Sequence, residues 1–158
     1  MGIVIGSRGR FDRMLFAQVN PLNASELAFP TLECIHIIGL AIAIGTIAIV
    51  DFRLLGMWMR RQTAAELGKD LAPWTLVGLA VVLTSGPLLF SSDPDMYYLN
   101  RSFQLKMGFL VLALIFNYTT HRKVVRMGAS PLRSKLVACI SLALWVGVIA
   151  GGLFIGFV

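Results

Sequence analysis

PTLECIHIIGLAIAIGTIAIVDFR, residues 30–53, is the stretch whose reading decides the fold. At about 1.5 Å of rise per residue it is long enough to cross a bilayer as a helix. Yet Glu33 and His36 lie inside its first two turns, and Asp51 with Arg53 closes its far end. An ionisable side chain facing hydrocarbon costs on the order of 3 kcal/mol, so such residues normally face a partner or a cofactor. Glu33 and His36 are three apart and therefore share one helix face.

Composition agrees. Of 158 residues, 57% are hydrophobic and 14% charged, whereas a soluble domain of this size carries about a quarter charged residues. The expected fold is an all-α polytopic membrane protein, a four-transmembrane-helix bundle over residues 30–158, with spans near 31–52, 74–90, 103–120 and 136–158. Residues 1–29 form a separate interfacial segment. There Phe11, Met14, Leu15 and Val19 recur at helical spacing against Arg10, Asp12, Arg13 and Gln18, the pattern of an amphipathic helix lying in the membrane surface. Arg8 and Arg10 follow the first apolar residues instead of preceding them, the reverse of a signal peptide, and no cleaved leader is expected.

Outward from the first span, the apolar pattern continues past Arg53 to Arg60 and Arg61, so helix 1 is expected to project from the bilayer before a polar loop, QTAAELGKD. Pro73 and Pro87 bracket the second span, and Thr84 and Ser85 offer hydroxyls to carbonyls that a proline leaves unpaired. A turn-rich loop, SSDPDMYYLNRS, places Tyr97 and Tyr98 at the water interface. In the fourth span Gly147, Gly151, Gly152 and Gly156 form two small-xxx-small pairs, which permit close helix contact within the bundle, with a second copy, or with another membrane subunit.

Basic residues orient the spans. Arg53, Arg60, Arg61 and Lys69 lie between spans 1 and 2, and Arg122, Lys123, Arg126, Arg133 and Lys135 between spans 3 and 4, against Arg101 alone in the middle loop. The rule that cytoplasmic loops are basic puts both termini on the periplasmic side of a bacterial inner membrane. Arg8, Arg10 and Arg13 oppose that orientation but lie far from span 1. The net charge of +6 suits anionic lipid headgroups, not nucleic acid.

Helices 1 and 3 then run in the same direction, and their depths can be compared. His36 and Lys106 enter at similar levels, and each is followed fifteen residues later by a second polar group, Asp51 and His121. Fifteen residues is roughly 22 Å of rise and about 60° of net rotation. Two layers are expected: an outer one of Glu33, His36 and Lys106, and an inner one of Asp51, Arg53, His121 and Arg122, with Asn117 one turn above His121. Within the inner layer Asp51 is expected to accept a hydrogen bond or ion pair from Arg53, His121 or Arg122.

Two histidines in a membrane bundle raise the question of b-type haem, whose iron takes imidazole nitrogen. At depths roughly 22 Å apart they cannot ligate the two faces of one haem. That leaves His36 as principal ligand, Lys106 (if neutral) or Met107 as second donor, and His121 at a separate inner site. The alternative is that His36 simply hydrogen-bonds Glu33 or Lys106 across the bundle. No Cys-x-x-Cys occurs, so structural zinc and c-type haem are not indicated. Cys34 and Cys139 lie at opposite depths and read as small apolar packing residues. The seven Met are scattered, which disfavours a copper cluster. The apolar stretch between the two layers shows no continuous ion path.

The runs FPTLECIHIIGLAIAIGTIAIVDFRLLG and LAPWTLVGLAVVLTSGPLLFSSDPDMYYLNRSFQLKMGFLVLALIFNYTTHRK, covering most of Phe29 to Lys123, resemble a family of small uncharacterised bacterial four-helix membrane proteins. The shared features are the helix 1 His, Asp-x-Arg-Leu-Leu-Gly at its end, Pro-Trp opening helix 2, Phe-x-x-Lys opening helix 3, and a His after it. More distantly, His36 and Lys106 are similar to residues of the J-type protoporphyrinogen oxidases and the copper-resistance D-like membrane domains. The oxidase resemblance implies haem b on His36 first and Lys106 second. The chain departs from the oxidase pattern at Gly45, at Asp51-Phe52-Arg53-Leu54 and in the later position of His121, and the oxidase activity is not carried across. The expected function is haem b binding in electron transfer or haem handling. The alternative is a cofactor-free accessory subunit of a larger redox or photosynthetic membrane complex.

Overall fold

A computed structural model describes residues 25–57 and 61–157. The amphipathic helix expected near residues 10–19 lies outside the described residues, as does Arg60. Helix α1 runs Ala28–Leu55. It stops there instead of projecting to Arg61, because Gly56 takes a left-handed conformation, φ 79°. The Gly56 and Met57 amides turn back to the Arg53 and Phe52 carbonyls, closing the helix in a Schellman motif.

Helix α2 runs Ala64–Ser92 and contains both Pro73 and Pro87. The residues expected as a polar loop are therefore mostly helical. Thr63 and Glu66 form a reciprocal capping box, which satisfies two amides and starts the helix before its apolar stretch. Pro87 leaves the Leu83 carbonyl without its usual donor. The Thr84 and Ser85 hydroxyls do not reach it; they donate to the Ala80 and Val81 carbonyls upstream. The DPDMYY stretch is a short helix, α3, Pro94–Leu99, capped by the Asp93 side chain on the Met96 amide.

Helix α4, Arg101–Phe116, passes through a π-helical turn, Asn117–His121, into α5, Arg122–Met127. In the turn the Arg122 amide reaches the Asn117 carbonyl five residues back, which inserts one residue relative to continuous α-helix and shifts the phase by about 100°. Helix α6 runs Pro131–Leu153 and ends in a 3₁₀ turn, Phe154–Phe157. Among the described residues four stretches are long and apolar enough to cross a membrane: Ala28–Leu55, Ala64–Ser92, Arg101–Met127 and Pro131–Phe157. The protein is an all-α, multi-pass helix bundle.

Helix α1 packs along α2 and α6, and α6 packs along α4, whereas α2 and α4 scarcely touch. One core of Ala43, Ile47, Leu79, Leu110, Ala113, Trp145 and Val148 fills the middle. Large apolar residues such as Ile38 (60% exposed), Leu83 (50%) and Leu112 (56%) face outward. So much outward apolar surface fits a lipid solvent and would aggregate in water.

The α1–α2 seam positions the site. His36 meets Ser85, Gly39 lies against Val81 and Ala43 against Gly78, and Thr46 bonds Thr75 across 2.8 Å. The contacts are spaced three, four and three residues on α1 and four, three and three on α2, so one face of each helix meets the other along the seam. A Cβ on Gly78 would stand 2.6 Å from the Ala43 backbone nitrogen, so only glycine permits this approach.

Candidate functional site

The ionisable residues of the spans settle into two layers, one at each end of the apolar core. In the first, His36 is 8% exposed, and its Nδ1 stands 2.7 Å from Ser85 Oγ. The Ser85 hydroxyl carries a single proton, and that proton is directed 2.6 Å to the Val81 carbonyl. Ser85 Oγ must therefore accept from His36, which places the imidazole hydrogen on Nδ1. In the neutral ring Nε2 then keeps its lone pair, and it has no partner among the described residues. Among the described residues, Asp51 Oδ2 and Ser141 Oγ are the fully occluded side-chain atoms without a hydrogen bond, so His36 Nε2 is not sealed in. A histidine held through one nitrogen by an oxygen, with the other nitrogen open, is the arrangement that orients imidazole toward a metal.

Around it, Lys106 lies within electrostatic reach of both His36 and Glu33, so the three residues of the expected outer layer share one neighbourhood. Lys106 is half-buried because α6 offers glycines beneath it. A Cβ on Gly151 would meet the Lys106 backbone nitrogen at 3.0 Å, and one on Gly152 would meet its Nζ at 3.6 Å. Gly147 receives the Phe109 ring in the same way. These three glycines thus serve contact inside the bundle, whereas Gly156 has nothing near it. Met107 is 40% exposed. Above this layer Phe90, Tyr97 and Phe103 stack with ring centroids 5.5 to 6.2 Å apart. Burial pushes the Tyr97 phenol above its ordinary value, and the negative charges of Glu33 and Asp93 add to that.

In the second layer Asp51 is fully buried and His121 is 5% exposed. His121 Nε2 donates to Asp51 Oδ1 across 2.7 Å. The π turn sets the imidazole phase, and the bond joins α1 to the chain that follows α4. Ser141 of α6 lies within interaction reach of the Asp51 carboxyl, although neither Ser141 Oγ nor Asp51 Oδ2 has a partner with hydrogen-bond geometry. Of the three donors expected for Asp51, His121 is the one bonded. Arg53 instead donates through Nε to the Gln62 carbonyl at 2.6 Å, and Arg122 is exposed. Asn117, His121 and Arg122 line a cleft of about 110 Å³ beside α1 and α2. Since His121 Nε2 is committed to Asp51, Nδ1 alone is free for any ligand at this level.

Cys34 and Cys139 are both exposed on the bundle surface, which corrects their expected role in packing: their helix positions point away from the seams. No three His, Cys, Asp or Glu side chains converge as a metal cluster among the described residues. Ser85 was not legible as the partner of His36, nor Ser141 as a neighbour of Asp51. The signal for Ser85 was the three- and four-residue spacing of 36, 39, 43 and 46 set antiparallel to 85, 81, 78 and 75.

No curated protein and no solved structure matches this chain. A family model defined by sequence does match, and it takes in the whole bundle from the first residue of α1, including both layers: over residues 28–158 the chain belongs to the DUF6644 family, a family of unknown function.

Proposed function

We propose that this protein binds haem b in the bacterial inner membrane, through His36, and serves electron transfer or haem handling. The observation that carries the reading is the direction of the His36–Ser85–Val81 hydrogen-bond chain. It puts an imidazole hydrogen on Nδ1, so that the neutral ring offers Nε2 as the free base, the form an iron ligand needs. Ser85 anchors the ring, and Lys106, supported on Gly151 and Gly152, supplies a positive charge at the same level for a haem propionate. Bound there, haem b supplies reversible one-electron exchange at its iron. The similarity of His36 and Lys106 to the J-type oxidases supports the same cofactor. The basic segments around Arg53 and between α5 and α6 meet at the Asp51 end of the bundle, which we assign to the cytoplasmic side. The His36 layer and both termini then face the periplasm.

The cofactor-free accessory-subunit reading drew on the glycine face of α6, but Gly147, Gly151 and Gly152 are covered by Phe109 and Lys106 of the same chain. The test is an absorption spectrum of protein purified from haem-supplemented cells. A Soret band that shifts on reduction and is lost in His36→Ala is expected. A colourless wild-type protein, or a band indifferent to His36→Ala, would overturn the proposal.

A further inference from the structure

We infer that the cleft in the Asp51 layer is a second binding site and that it takes the ring of a quinol, a membrane-soluble dihydroxy-aromatic. Its redox meaning rests on the haem reading; the binding itself does not.

The cleft is bounded by α1 and α2 on one side and by the π turn and α5 on the other. Ile47 and Leu71 make its walls apolar, while Leu76 (56% exposed) and Tyr118 (43%) stand at its rim. Both rim residues belong to membrane-spanning stretches, so entry is sideways from lipid. Its volume of about 110 Å³ approaches that of an engineered cavity of about 150 Å³ that admits benzene. Being smaller than that cavity and open to one side, it takes the hydroxyl-bearing edge of one six-membered ring, with the other ring substituents and any tail left in the bilayer.

Its polar groups are few. The Thr46 and Thr75 hydroxyls are used on each other and on their own helices. The uncommitted groups set back from the rim are the Asn117 amide and His121 Nδ1, the latter on a side chain nineteen-twentieths buried; the Tyr118 hydroxyl and Arg122 guanidinium belong to exposed side chains. With Nε2–H given to Asp51, Nδ1 is an acceptor, and the carboxylate behind it strengthens it as one. An acceptor backed by negative charge favours a hydroxyl donor and disfavours an anion. This selects a quinol over a phospholipid phosphate, for which the cleft offers only the exposed Arg122.

The test is calorimetric titration of decylubiquinol, under anaerobic conditions, into the full chain in lipid nanodiscs. One saturable site is expected, weakened about tenfold or more, near 1.4 kcal/mol, by Ala72→Phe, which fills the cleft, and by Asn117→Leu, which removes the amide. His36→Ala should bind as wild type does, which separates loss of haem from loss of this site. Absence of saturable binding, affinity unchanged in both cleft variants, binding abolished by His36→Ala, or a retained phospholipid that decylubiquinol fails to displace would each overturn the inference.

Discussion

The two polar layers use the same side chain in opposite ways. His36 is tethered to a neutral hydroxyl whose proton is already spent on a backbone carbonyl. His121 is tethered to a carboxylate that is completely buried. A hydroxyl tether orients a ring at little electrostatic cost and leaves its second nitrogen for another molecule. A buried carboxylate makes the ring indispensable to the fold, because the negative charge has no other donor among the described residues. The partners also differ in what they join. His36–Ser85 lies within a seam that glycines already hold together, whereas Asp51–His121 ties α1 to the chain following α4, two helices with little other contact.

The contrast can be attacked first at His121. Taking the hydrogen-bond donor away from a buried carboxylate costs about 3 kcal/mol or more, so His121→Ala should lower the midpoint of denaturant unfolding sharply. Asp51→Ala combined with His121→Ala should cost less than the two single changes summed. A midpoint unmoved in His121→Ala would mean that the pair carries no structural weight. Next come the glycines beneath Lys106. Gly151→Ala drives a methyl into the Lys106 backbone and should cost about 1 to 3 kcal/mol, whereas Gly152→Ala, with its nearest neighbour at 3.6 Å, should be close to neutral in the same assay. A small effect on stability belongs to Ser85→Ala, about 0.6 kcal/mol, the average for an interhelical bond in a membrane. The same variant should weaken haem retention about 10- to 100-fold, as loss of an outer ligand partner does. An equal stability loss in Ser85→Ala and His121→Ala would erase the distinction between the layers.

The four spans were legible because apolar length is a property of composition alone. The pairing of layers was legible as well, since equal spacing on two parallel helices puts His36 with Lys106 and Asp51 with His121. What sequence hid was phase and termination. Gly56 ends α1 by backbone conformation, which an apolar pattern running on through Met57 conceals. Thr63 and Glu66 start α2 inside a polar stretch, where hydropathy reads a loop. The close contact of Gly39 and Gly78 depends on which faces of α1 and α2 meet, and neither helix alone states that. The glycines of α6 drew attention by their number, while the tighter backbone approach is made by the isolated Gly78.

The π turn at Asn117–His121 has a consequence for how this chain tolerates change. Holding one extra residue in a π turn keeps the helix on both sides in phase, so deleting one codon between Asn117 and Thr120 would give an ordinary helix that still turns His121 toward Asp51. Lineages can therefore lose one position in this segment and keep the buried pair. Straightening the turn with every residue retained would instead rotate the imidazole by about 100° and strand the carboxylate.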